Sequence, residues 1–332
     1  AFEFGRGWTY DKASIDMLSP RKTSLHGIPL AWSPGTAGPT EAEVVYLDAV
    51  TEAELQKYRG KLAGKVVMLN EPTDFDEPHR EISKRYTAAE LAEMKAFNLK
   101  ALASHAHAPE DSIEARRKDL QFNEAREAFL KVENVKGALF RSSWDGGLVR
   151  VMGRNYRVGK TFPVPALMLS VEHYNLLARL LDSGVQPKIT FNVEAKFHDE
   201  DVNAHNTLAE IPGTGAKPEV VMLGAHLDSW HGASGGVDNA VGVAVTMEAM
   251  RILKAINLQP KRTIRIGLWA GEEQGLLGSA AYVERHFATR PKPTDPKERA
   301  LPQWVWSSPG WPITKLPDYD LLSVYFNMDH GS

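Results

Sequence analysis

The side chains with the types and spacing for metal chemistry lie in the second half of the chain. They are His226 and Asp228, Asp238, the adjacent pair Glu272 and Glu273, and Asp329. Imidazole with carboxylates suits a divalent cation such as zinc. Carboxylates and neutral imidazoles together offset the charge of two such ions, so a bridging hydroxide leaves the centre near neutral. Two ions about 3.5–4 Å apart share one carboxylate, polarise a carbonyl and lower the pKa of water. A carboxylate bound to neither takes the water's proton and returns it to a leaving amine. Of two adjacent glutamates, one can bind metal while its neighbour faces the water. Each cluster also has a plain structural reading. His226 and Asp228 alone could be a surface pair, and adjacent acids commonly open a solvated helix, where they suit its dipole. The conjunction of all of them, each at the end of an apolar run, points to a metal site.

The elements that must position these groups follow from the pattern. From about Asn206 the rhythm is strand, loop, helix. Thr207–Ile211 and Val220–Ala225 read as strands, Val241–Ile256 as a helix, Ile264–Trp269 as a strand, Leu276–Phe287 as a helix and Leu321–Met328 as a strand. Continuous apolar strands separated by helices predict an α/β fold, a mainly parallel mixed sheet with helices on both faces. Ligands in such sheets collect at the carboxyl ends of the strands, where these acids lie. Upstream, residues 1–40 are rich in Pro and Gly and read as an extended connecting segment. Residues 41–197 read as a strand-rich module with a helical insertion between Thr87 and Val132. In it, Ser170 caps a helix that starts at Val171 and stops at Gly184.

Composition narrows the class. The chain of 332 residues is 43% hydrophobic and 24% charged, with a net charge of −3 and no cysteine. No basic block marks a nucleic-acid surface. No apolar run is long enough for a membrane span. Without cysteine, thiolate zinc sites and disulfides are excluded for this chain. The opening AFEFGRGW has neither a Met nor a leader pattern and reads as a trimmed start.

The segments His226-Leu227-Asp228-Ser229, Val237-Asp238-Asn239, Trp269-Ala270-Gly271-Glu272-Glu273-Gln274-Gly275-Leu276-Leu277-Gly278-Ser279 and Asn327-Met328-Asp329 resemble the M28 family of co-catalytic zinc peptidases. The flanking module is similar to a protease-associated (PA) domain inserted in that fold. The opening from Trp8 to Pro34 resembles the carboxypeptidase Q-like branch and its bacterial aminopeptidase relatives. The resemblance implies a zinc exopeptidase fold, incomplete here, divided as 1–40 (N-terminal segment of the peptidase region), 41–197 (PA-like) and 198–332 (the first part of the catalytic domain). It implies that His226 and Asp329 bind one Zn2+, Asp238 bridges two, and Glu273 binds the second. Glu272 would be general base and acid, acting on a metal-bridging hydroxide, and Asp228 would hold the His226 ring from behind. It implies a cis peptide at Asp238–Asn239.

The family's second zinc takes a histidine well after the motif that matches Asp329, and this sequence stops at Ser332. The expectation is a fragment without that last ligand, one that holds the second ion poorly and whose own activity is open. His330 is too near Asp329 in sequence to be an obvious substitute. The expected activity is peptide hydrolysis at a free terminus, with aminopeptidase preferred over a carboxypeptidase Q-like dipeptidase. The rivals are a glutaminyl-cyclase-like acyltransferase, an M20-like amidohydrolase and a receptor-like binding protein that has lost its metals. Family analogy adds a secreted or periplasmic location. The oligomeric state stays open, with a homodimer among the options. Among the remaining groups, His105 and His107 read as surface residues and His198 to Asp201 as a solvated linker. His231 reads equally as pocket lining or packing, and Trp304, Trp306 and Trp311 as an aromatic loop over the sheet.

Overall fold

The computed structural model describes residues 1–73, 85–95, 110–296, 299 and 312–330. His105, His107 and the tryptophans of the aromatic loop lie outside the described residues.

The first sheet is built from β1 (Gly7–Ser19), β2 (Thr23–Ser24), β3 (Gly27–Pro29), β4 (Thr40–Tyr46), β5 (Val66–Met68), β6 (Gly137–Arg141), β7 (Ala166–Leu169) and β8 (Lys188–His198). Its spatial order is β2-β1-β8-β4-β5-β6-β7-β3. The middle strands β4 to β7 run parallel, while β1, β8 and the edge strand β3 are antiparallel to their neighbours. Residues 1–40 are thus more than a connection. The 13-residue strand β1 pairs along most of β8, with Ile15 and Met17 buried beneath it.

Helices cover both faces of this sheet. The short α1 (Glu52–Leu55), opened by a Thr51–Glu54 capping box, and α3 (Glu110–Val132) pack Leu55, Phe129 and Leu130 on one face; α2 (Ala88–Lys95) lies between them in sequence. On the other face α4 (Val171–Asp182) buries Tyr174, Leu177 and Ala178. These positions recur at helical spacing and make one apolar stripe. Ser170 caps α4 by accepting the His173 N–H, and Gly184, at φ 75°, ends it.

The second sheet carries the acids. It consists of β9 (Thr207–Ile211), β10 (Val220–His226), β11 (Thr263–Trp269) and β12 (Leu322–Asn327), in the order β9-β11-β10-β12. β10 is parallel to both β11 and β12, and β9 is antiparallel to β11. Alternation along the central strands feeds two cores. Ala225, Ile266 and Leu268 meet Val243 and Met250 of α5 (Val241–Ala255) on one face. Met222 and Trp269 meet Tyr282 of α6 (Leu277–His286) on the other. Strands covered on both sides are largely apolar, as VVMLGAH is; TIRIGLW departs from this at Arg265, which is half-buried and pairs with Glu210 at 2.9 Å. The mainly parallel mixed sheet with helices on both faces is as expected. Among the described residues no helix is long and apolar enough to cross a membrane.

Candidate metal centre

Register brings the acids to one edge. His226, the last residue of β10, lies opposite Trp269, the last of β11, and Gly224 lies opposite Asn327. Glu272 therefore follows the neighbouring strand by a short turn, and Asp329 falls level with His226 on the other side.

The turns are shaped locally. After β10 the chain crosses Gly235, at φ 66°, into a widened helical turn that contains Asp238 and Asn239 with non-helical dihedrals before α5 begins. The Asp238–Asn239 peptide is cis. Asn239 is 1% exposed and ties this turn to the end of β12. Its Nδ2 donates to the Met328 carbonyl at 2.9 Å and its Oδ1 accepts the Gly242 N–H at 3.2 Å. The turn that carries Glu272 and Glu273 closes on Leu276 in the left-handed region (φ 62°), with its N–H donated to the Glu272 carbonyl.

His226 Nε2 lies 2.9 Å from Asp238 Oδ1, 3.3 Å from Asp329 Oδ1 and 4.0 Å from Glu272 Oε2. One ligand atom each from His226, Asp238 and Asp329 falls within 4.8 Å of the others. Glu272 and Glu273 are outside that tight group. Asp228 acts differently from the expectation that its carboxylate holds the His226 ring. Its backbone carbonyl faces His226 Nδ1 at 2.9 Å, whereas its side chain is 3.9 Å from that atom. The carboxylate instead accepts the backbone N–H groups of Glu272 and Glu273, at 3.0 and 3.2 Å.

The crowded acids shift one another's protonation. Burial, and then the Asp238 and Glu272 charges, push the Glu273 carboxyl up to about 7. Burial also raises Glu272, opposed by His226 and reinforced by Asp329 and Asp228. Burial pulls the His226 imidazole down, but Glu272 and the other surrounding acids outweigh it and leave it raised. Like charges this close raise one another's proton affinity. A divalent cation would replace those protons, so the donor set fits one.

Residues 206–301 match the family described as Peptidase family M28. Over 84% of its length the chain is 29% identical to carboxypeptidase Q from Xenopus laevis, and over 32% it is 40% identical to leucine aminopeptidase 2 from Arthroderma otae. Among solved structures it is similar to an M28 peptidase precursor from Shewanella amazonensis, with a TM-score of 0.58 and 25% identity over 86% of this chain and 57% of that one. The chain covers 51% of the Xenopus protein and 21% of the Arthroderma protein, and so spans about half the length of the carboxypeptidase Q relatives it matches.

The structure adds His330 to the group. Its Nδ1 is 3.6 Å from Asp238 Oδ2 and its Nε2 is 3.7 Å from Asp329 Oδ1. Next to Asp329 in sequence, it would point to the opposite side of a continuing strand. Its left-handed backbone, at φ 65°, turns the ring back instead. His231 leans the other way, onto the first sheet. Asp199 to Asp201 are exposed to solvent, with Asp199 paired to Arg6 at 2.6 Å, whereas His198 is half-buried at the end of β8, its Nε2 2.9 Å from Thr9 Oγ1.

Proposed function

We propose that this protein is a zinc-dependent exopeptidase of the M28 type, with aminopeptidase activity preferred. The observation that carries the reading is the gathering of Asp238, Asp329 and Glu272 within 4.0 Å of His226 Nε2, at the carboxyl edge of the sheet. His226 and Asp329 would hold one zinc ion, Asp238 would bridge, and Glu273 would hold the second. Zinc there would supply Lewis acidity to polarise the scissile carbonyl and acidify a water.

The remaining steps belong to the chain's own groups. Glu272 takes a proton from water and returns it to the leaving amine, a role suited to a carboxyl whose burial already raises its proton affinity. Asp228, through the two N–H groups it accepts, fixes where the Glu272 carboxylate stands. Residues 41–197 would form the PA-like module beside the site, and the protein would work after export, in the periplasm or outside the cell; both points rest on the family resemblance.

A second reading, a carboxypeptidase Q-like dipeptidase, is supported by the reach of that similarity, which extends over 84% of the chain. The test is a substrate panel on the full-length protein with zinc quantified in parallel. Release of free N-terminal residues from aminoacyl anilides supports the aminopeptidase. Cleavage confined to unblocked dipeptides selects the second reading. Cyclisation of N-terminal Gln without hydrolysis, or no zinc and no turnover, refutes both.

A further inference from the structure

The loop from Leu227 to Gly235 joins two proposed ligands yet has no regular structure of its own. Three consecutive residues in it face the first sheet. The Trp230 ring meets Trp32 edge-on, with centroids 6.1 Å apart. His231 Nε2 donates to the Pro29 carbonyl at 2.8 Å, and its ring stands edge-on to Trp8 at 5.2 Å and Tyr10 at 5.9 Å. At Gly232 the Val151 side chain lies so near that a Cβ would sit 2.5 Å from its Cγ1.

The rings that receive the loop are themselves anchored. Trp8 Nε1 donates to the Ser33 carbonyl and Trp32 Nε1 to the Arg6 carbonyl. The same seam reaches the other acidic turn. Phe4 packs on Trp32 at 6.3 Å, and a Cβ on Gly271, the residue before Glu272, would lie 3.2 Å from the Phe4 ring. Aromatic edges and one directed hydrogen bond thus set both turns against a single wall.

We propose that His231 is a positioning residue of the metal centre. Its hydrogen bond to Pro29 latches the loop to the strand-rich module and so fixes Asp238 relative to His226. The consequence for metal rests on the peptidase reading, while the latch itself does not. A carbonyl can only accept, so Nε2 carries the proton and any replacement must supply an N–H at that point. His231→Gln can supply one. His231→Phe keeps a ring and cannot.

The experiment uses the full-length protein and these two variants, with Gly232→Ala, which crowds Val151 without altering the ring, as an independent perturbation. Amide hydrogen exchange over residues 227–237 reads the latch. Co(II) titration, followed by the visible spectrum of the bound ion, reads the ligands. His231→Phe and Gly232→Ala are expected to speed exchange in that loop and weaken Co(II) binding about tenfold, near the low end for loss of a group that orients ligands. His231→Gln is expected to recover most of both. Unchanged exchange and Co(II) affinity in His231→Phe overturn the proposal, as does a His231→Gln as impaired as His231→Phe. If the unaltered protein binds no Co(II), the peptidase reading fails and the exchange measurement still decides the latch. If His231→Phe does not fold, Gly232→Ala decides it: unchanged loop exchange in that variant overturns the latch.

Discussion

The Asp228 carboxylate accepts the backbone N–H of Glu272 at 3.0 Å and, through its other oxygen, that of Glu273 at 3.2 Å. One acid at the end of β10 therefore orients the turn that follows β11. Hydrogen bonds to a charged acceptor contribute about 1.5–3 kcal/mol each. Asp228→Ala is expected to destabilise the protein by about 2 kcal/mol, after discounting for partial exposure. Because the same turn carries both glutamates, turnover should fall more steeply than stability. Thermal unfolding and kcat measured on one preparation check this.

Glu272→Gln separates base from ligand. The amide keeps the shape and loses the proton acceptor, so turnover should drop about 10²–10⁴-fold. Zinc content by elemental analysis should match that of the unaltered protein. Loss of zinc in the variant would make Glu272 a ligand.

Stability of the metal-free protein should depend on pH with a definite sign. The folded-state pKa of Glu273 is raised from an ordinary 4.5 to about 7. The folded state thus holds a proton that the unfolded chain has released. The stability it contributes is fully present below 4.5 and is lost as pH rises through about 7. His226, also raised, acts in the same direction above its ordinary 6.5. The unfolding midpoint of chelator-treated protein should fall between pH 5 and 8 (roughly the window of these two groups). Excess zinc should flatten the fall, since metal replaces the protons.

Asn239→Ala leaves the Met328 carbonyl and the Gly242 N–H without the partner they have now. An unmatched buried polar group costs about 1–3 kcal/mol, so a loss of about 2 kcal/mol is expected in urea unfolding. Met328 precedes Asp329, so metal affinity should weaken as well.

The second sheet was largely legible because its strands are short, mostly apolar runs and its turns carry rare combinations of residues. Thr207–Ile211 has the bounds expected, and the acids fall at strand ends as the apolar runs imply. The strand Gly7–Ser19 was not legible, although Ala13, Ile15 and Met17 alternate, because its partner is Lys188–His198 near the far end of the module. Pairing over such separations leaves no local mark. The sequence left the placement of His330 and His231 open for related reasons. One depends on a left-handed residue that sequence period does not reveal. The other bonds a carbonyl 202 residues away.

Anomalous diffraction at the zinc edge, from crystals of the full-length protein, tests the metal centre most directly. The account predicts a peak in contact with His226 Nε2, Asp238 and Asp329, and a second between Asp238 and Glu273. Zinc-loaded crystals with no peak beside His226, or with the anomalous density confined to other surface histidines, would contradict it.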